Sequence, residues 1–231
     1  MNGFDPLGGF NPSAPLLQAA IDASRAIMPS FPDLQGLLRR IYYHWAVMPF
    51  GCLDGAYNGE VDLENLLWVM KITHGFADNM PGLNNNAMAS HTWERNTGAL
   101  GIAITGMDGA TTTDFGPDGV QLHELEFICA FGAAVCAKYG LDALGTVSAP
   151  GETHPSSNDS GNVPGPINTT GENVIETHAT CALFDDYRGE RWDFGSLTAL
   201  PPGVSLTDAM RVASANAMRF RTHLYKIAIA A

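Results

Sequence analysis

Ile41-Tyr-Tyr-His-Trp-Ala-Val47 is the stretch from which the rest of the chain is read. Aromatic and β-branched residues crowd it, and no Gly, Pro or charge interrupts it, which is the composition of a strand buried in a sheet. A second apolar run, Leu100-Gly-Ile-Ala-Ile104, interleaves small residues and suggests a strand closely approached by other backbone. Buried strands need cover on their faces, so the expected class is α/β (mixed α+β), with a central mixed β-sheet flanked by helices. At 231 residues one domain is the default. It divides into an N-terminal helical extension (1–39), a core (40–200) and a C-terminal helix (205–231).

Working outward from the first strand, Tyr57 to Leu63 and Trp68 to Ile72 read as a hairpin, with Glu64-Asn65 as the turn signal. Upstream, Ser13-Ala-Pro15 opens a helix that keeps Leu17, Ile21, Ser24 and Met28 on one face and stops at Pro29. Asp33 to Arg40 reads as another short helix. Downstream, His74 to Ala89 and Gly106 to Gly119 are loops. Val120 to Tyr139 carries Leu122, Leu125, Ile128, Phe131 and Val135 at helical spacing, with Gly140 as the expected stop. Residues 149–173 have loop composition over a length that suggests a function. Val174 to His178 is a short strand. Ser205-Leu-Thr-Asp208 resembles a capping box for a last helix with an apolar face of Met210, Ala213, Ala217, Phe220, Leu224 and Ile227.

Composition narrows the partners. A formal charge of −12, with no Lys/Arg cluster beyond Arg39-Arg40, would repel a phosphate backbone, so no nucleic-acid partner is expected. No run approaches eighteen continuous apolar residues, which argues against membrane insertion, and no basic segment followed by an apolar run marks a signal peptide. Synthesis in the cytoplasm is the expectation. Cys52, Cys129, Cys136 and Cys181 lack metal-type or redox-type spacing and read as buried free thiols.

Chemistry concentrates in three histidine-bearing segments. Glu176-Thr-His-Ala-Thr-Cys-Ala-Leu-Phe-Asp-Asp-Tyr-Arg-Gly-Glu-Arg-Trp-Asp193 places a histidine and an aspartate fifteen positions apart across a Gly-containing turn. Together with His44 they match the three protein ligands of a catalytic zinc, whose open fourth position holds an activated water. On spacing alone, a histidine such as His44 is more commonly a core residue than a ligand. There is no His-Glu-x-x-His, no Gly-x-Ser-x-Gly and no Gly-rich phosphate loop, so several common enzyme classes receive no support.

The run His91-Thr-Trp-Glu-Arg-Asn-Thr-Gly-Ala-Leu-Gly-Ile-Ala-Ile104 resembles the His…Asn-Thr-Gly-x-Ile-Gly-Ile strand of the N-acetylmuramoyl-L-alanine amidase and peptidoglycan-recognition-protein superfamily, phage endolysins in particular. Tyr43-His44-Trp45 resembles that family's first-strand His motif. His178-Ala-Thr-Cys followed by Arg191-Trp192-Asp193 resembles its closing His…Lys/Arg-x-Asp/Cys pair. The pieces occur in the family's order over roughly residues 40–200, with long unmatched insertions.

The resemblance implies an amidase-like fold and a Zn2+-dependent enzyme that cleaves the bond between the lactyl group of muramic acid and the first L-alanine of the stem peptide. His44, His178 and Asp193 would hold the metal. Arg191 takes the place of the family's catalytic cation, suited to steadying a developing oxyanion. The family's second catalytic group is a Glu on the Gly-Ile-x strand or a Tyr on the second strand. The first is Ala103 here, and Tyr57 is the candidate for the second, with an ordinary strand aromatic as the alternative. His91, Asn96 and Thr97 would contact substrate, and bacterial peptidoglycan is the implied partner. His74, His123, His154 and His223 read as surface or packing residues. Two other readings stay open: a non-catalytic peptidoglycan-binding or structural virion protein, and a zinc peptidase acting on the stem peptide.

Overall fold

Arg40–Trp45 forms strand β1, and all six of its residues are buried. The structure is a computed structural model that describes residues 18, 21, 22, 25, 33–64, 67–80, 88–92, 96–147, 172–183 and 192–230. β1 lies between two parallel neighbours, β4 (Ala99–Ile104) and β7 (Ile175–Thr177). β2 (Gly59–Glu64) runs parallel to β4 on its other side and pairs antiparallel with β3 (Leu67–Ile72). The sheet order is therefore β3-β2-β4-β1-β7, a mixed sheet with the expected hairpin at one edge. A two-residue ladder joins β5 (Thr146–Val147) to β6 (Glu172–Asn173).

Side chains alternate across a strand, so each strand of the interior divides into two sets. Ile41, Tyr43 and Trp45 from β1 join Leu100, Ile102 and Ile104 from β4 in the main core. Two helices contribute to that core, α1 (Leu122–Tyr139) and α2 (Asp208–Ala230). Tyr43 reaches between them. Thr222 on α2 donates its hydroxyl proton to the Met218 carbonyl, so the 2.9 Å contact with Tyr43 has the phenol as donor. Gly132 on α1 is required there, because a Cβ would collide with the Tyr43 hydroxyl. Tyr42 and His44 project to the opposite face, over Gly101 and Ala103 of β4. That face carries the site.

α1 fulfils the sequence reading. It ends at Gly140, which adopts the left-handed conformation and returns its N–H to the Cys136 carbonyl. The loops of residues 74–89 and 106–119 are irregular where described, apart from a 3-10 turn at Phe76–Asn79. No helix among the described residues is long and apolar enough to cross a membrane.

Three local expectations are corrected. Asp33 to Arg40 is not a helix: both Leu37 and Leu38 donate to the Leu34 carbonyl, but Gly36 at φ +78° ends the turn, and Arg39 is already bonded to Gly98 beside the sheet. On α2, the buried residues include Arg211, Ser214, Met218, Arg221, Thr222 and Tyr225, while Ile227 of the expected apolar face is 54% exposed. The cause is Glu126 on α1, a buried carboxylate that binds the Arg221 guanidinium and accepts the Tyr225 hydroxyl at 2.5 Å. An ion pair of this kind turns the polar face of α2 inward. The helix is capped by Thr207, whose hydroxyl accepts from Met210 N at 3.3 Å, instead of by Ser205. All four cysteines are free, but Cys52 is exposed. Of the expected N-terminal helix only Gln18, Ile21, Asp22 and Arg25 are described, and they are helical. Most of 149–173 lies outside the described residues.

A candidate metal site

The parallel register of β1 and β7 brings the two histidines together. Tyr43 pairs with Thr177, and the next step along both strands sets His44 against His178, with ring centroids 4.5 Å apart. β7 stops at Thr177, and His178 begins a 3-10 turn that runs to Leu183. Asp193 arrives from downstream because its carbonyl accepts the Ala179 N–H at 3.0 Å, which fastens the returning chain to the end of β7. The turn that follows closes through Gly195 N to the Trp192 carbonyl at 2.7 Å. A Cβ on Gly195 would come within 2.6 Å of Leu206, so the turn needs its glycine.

His178 Nδ1 lies 3.1 Å from Asp193 Oδ2, and His44 Nδ1 lies 3.7 Å from the same oxygen. One potential donor atom from each of the three residues lies within 4.8 Å of the other two. Ligands of a tetrahedral ion with bonds near 2 Å stand roughly 3.3 Å apart, so this cluster needs only small adjustments to close on a metal. His44 is fully buried, and His178 and Asp193 keep a small solvent-facing edge. Burial opposes ionisation of Asp193, but hydrogen bonding and charge from His178 and His44 outweigh it and hold the carboxyl below the usual carboxylate range. Two imidazoles and an ionised carboxylate, converging from three separate segments, could hold a metal ion.

The surroundings keep the cluster accessible on one side and fixed on the other. Ala103, opposite His44 on β4, presents only a methyl group. The Tyr57 ring stands 5.0 Å from the His44 ring, and its hydroxyl donates to the Trp45 carbonyl at 3.1 Å. Tyr57 is delivered by a loop tied down at several points. Glu60 accepts the N–H groups of Asp54 and Gly55 at 2.9 and 2.8 Å, Thr73 donates to the Tyr57 carbonyl at 2.6 Å, and the His74 ring meets the Gly55 carbonyl at 2.8 Å. Burial raises the Glu60 pKa, and those two backbone bonds oppose the rise.

His91 is brought to the cluster as well, 5.3 Å from His44 by ring centroid and buried. Burial, reinforced by the nearby His44 and His178, lowers its pKa well below the ordinary imidazole value, so the ring is neutral near pH 7. It lies flat over Gly101, where a Cβ would collide with the ring. Asn96 accepts the Thr92 N–H on its side-chain oxygen at 2.8 Å. Thr97 is exposed in the turn before β4, six residues before Ala103 and therefore about 20 Å along the strand from the level of His44. His74 is half-buried in the Tyr57 loop, His123 is exposed, and His223 is half-buried. Arg191 and His154 lie outside the described residues.

Sequence reasoning passed over Glu60, Thr92 and Asn79. Glu60 belongs to an alternating strand in which an inward carboxylate reads as an outward one. Thr92 had a weak signal in its place directly after His91. No family model, curated protein or solved structure matches the chain.

Proposed function

We propose that the chain is a zinc-dependent peptidoglycan hydrolase that opens the amide between the lactyl group of N-acetylmuramic acid and L-alanine, of the phage endolysin or virion-associated lysin type. The observation that carries this reading is the convergence of His44, His178 and Asp193, the three residues that the amidase resemblance marks as ligands. A two-histidine, one-carboxylate set with room for a further ligand suits a catalytic zinc. Zinc held there would supply Lewis acidity to the scissile carbonyl and to the attacking water.

The chain's own residues would do the rest. Asp193, ionised and hydrogen-bonded to His178, brings the negative charge that a divalent ion requires. Tyr57 stands beside His44 and supports the tetrahedral centre with its phenol once substrate displaces the Trp45 contact. Arg191 supplies the cation for the oxyanion. The Ala103 methyl leaves space over the sheet for the substrate backbone. His91, Asn96 and Thr97 belong to the strand-leading segment that the resemblance assigns to the substrate groove. In hydrolysis, water oxygen adds to the carbonyl carbon, the carbon–nitrogen bond breaks, and the departing L-alanine nitrogen takes a proton. The substrate lies in the cell wall, so the protein, made in the cytoplasm, acts after release.

Digestion of purified peptidoglycan with and without a zinc chelator tests the reading. The expected product is new amino-terminal L-alanine that chelation abolishes. New termini within the stem peptide would replace the amidase by a peptidase, and wall binding without any new terminus would replace it by a binding protein.

A further inference from the structure

The ring nitrogen of His44 that faces away from Asp193 is itself engaged. His44 Nε2 lies 3.3 Å from the Thr92 hydroxyl, and the same hydroxyl lies 2.9 Å from His91 Nδ1. His44, His91 and Thr92 are all at least 95% buried, so no bulk water competes for these atoms. A threonine hydroxyl has one proton, so between two ring nitrogens it must donate to one and accept from the other. Which way it points decides the tautomer of His44.

The surroundings of His91 select the direction. Its ring donates to the backbone carbonyl of Ala99. Its Nε2 also lies 3.3 Å from Asn79 Nδ2. That amide has two protons, and two carbonyls stand closer to it, Ala89 at 3.0 Å and Asn96 at 3.2 Å. With both amide protons taken, Nε2 of His91 is left to carry the hydrogen for Ala99, and Nδ1 is the acceptor. Asn79 cannot flip, because its oxygen accepts Ala89 N at 3.0 Å and Asn58 Nδ2 at 3.2 Å. Thr92 therefore donates to His91 Nδ1 and accepts from His44 Nε2–H. The lone pair on His44 Nδ1 then faces Asp193 and His178.

We infer that Thr92, oriented by His91 and Asn79, is a positioning residue that holds His44 in the one tautomer able to ligate a metal through Nδ1. This rests on the metal-site reading above, and gives His91 a role behind the ligand. Partners of this kind typically contribute 10–100-fold to metal affinity.

Zinc affinity, measured by competition with a chromophoric chelator, tests this on Thr92→Val, which keeps the shape and removes the hydroxyl, and on Thr92→Ser, which restores it. The expectation is a loss of about 10–100-fold in Thr92→Val and recovery in Thr92→Ser. In the metal-free protein, the nitrogen-15 shifts of the His44 ring should report an Nε2–H tautomer in wild type and in Thr92→Ser, and a mixture in Thr92→Val. A merely structural threonine would not move that signature. Wild-type zinc affinity in Thr92→Val, or an Nδ1–H tautomer in the wild-type protein, would overturn the inference while leaving the site intact. Wild-type affinity in Asp193→Ala would instead remove the metal site on which it rests.

Discussion

His44 and His178 face each other from adjacent parallel strands, one register step beyond the Tyr43–Thr177 pair, with their rings 4.5 Å apart. Neither residue could reach the other if β1 and β7 paired one residue out of step, because a single-residue slip sends every side chain of a strand to the opposite face. The register is secured on the far side by Ile41, Tyr43 and Trp45, which enter the core with Ile175. Packing under the sheet thus sets the geometry above it.

Tyr57→Phe removes the hydroxyl and keeps the ring against His44. It should cost about 1 kcal/mol of stability for the lost bond to the Trp45 carbonyl. Under the proposed function it should retain zinc and lower kcat on peptidoglycan by an order of magnitude or more. Unchanged turnover would return Tyr57 to the status of a packing aromatic.

Glu60 acts at one remove from the chemistry by pinning the N–H groups of Asp54 and Gly55. Glu60→Ala leaves both without that acceptor and should destabilise the protein by about 1–3 kcal/mol. Amide exchange at Asp54 and Gly55 should quicken, while zinc affinity holds. Slow exchange at both amides in the variant would rule out the pinning role.

Glu124 supplies a pH test away from the metal. Burial raises its pKa to about 9, with Asp62 and Asp118 adding to the rise and the bond from Gln121 N opposing it. Among the described residues its Oε1 has no hydrogen-bond partner. The folded protein therefore keeps the proton where the unfolded chain, near 4.5, has lost it. Its contribution to stability is complete below about pH 4.5 and is lost as pH rises towards 9. Chemical denaturation across that window should show Glu124→Gln with a flatter profile than wild type. Parallel profiles would contradict the assignment.

The buried pair between the helices makes an asymmetric prediction. Glu126→Ala strands the Arg221 guanidinium and should cost about 3–5 kcal/mol, whereas replacing Glu126, Arg221 and Tyr225 together with apolar residues of similar volume should cost much less. Urea denaturation of both variants decides it.

This pair also marks where the sequence stopped being informative. β1, the hairpin, β4 and α1 were legible because their apolar residues follow the period of the element they form. The face of α2 was not, since Arg211, Arg221 and Thr222 are buried through specific partners that no periodicity encodes. Likewise the Asp33 to Arg40 segment has helical composition but yields to Gly36 and to the Gly98 carbonyl. In the site, His44, His178 and Asp193 could be picked out by residue type and by resemblance. Thr92, Asn79 and Glu60 act through single hydrogen bonds across distant segments, and only the folded chain brings those atoms together.

Metal content after equilibrium dialysis against zinc, compared between wild type and Asp193→Ala, is the most direct test of the account. The expected result is one zinc per wild-type chain and little in the variant. Zinc should raise the thermal midpoint of wild type alone, since a ligand stabilises only the fold that binds it. Equal zinc in both proteins, or none in wild type, would contradict a metal site built on His44, His178 and Asp193.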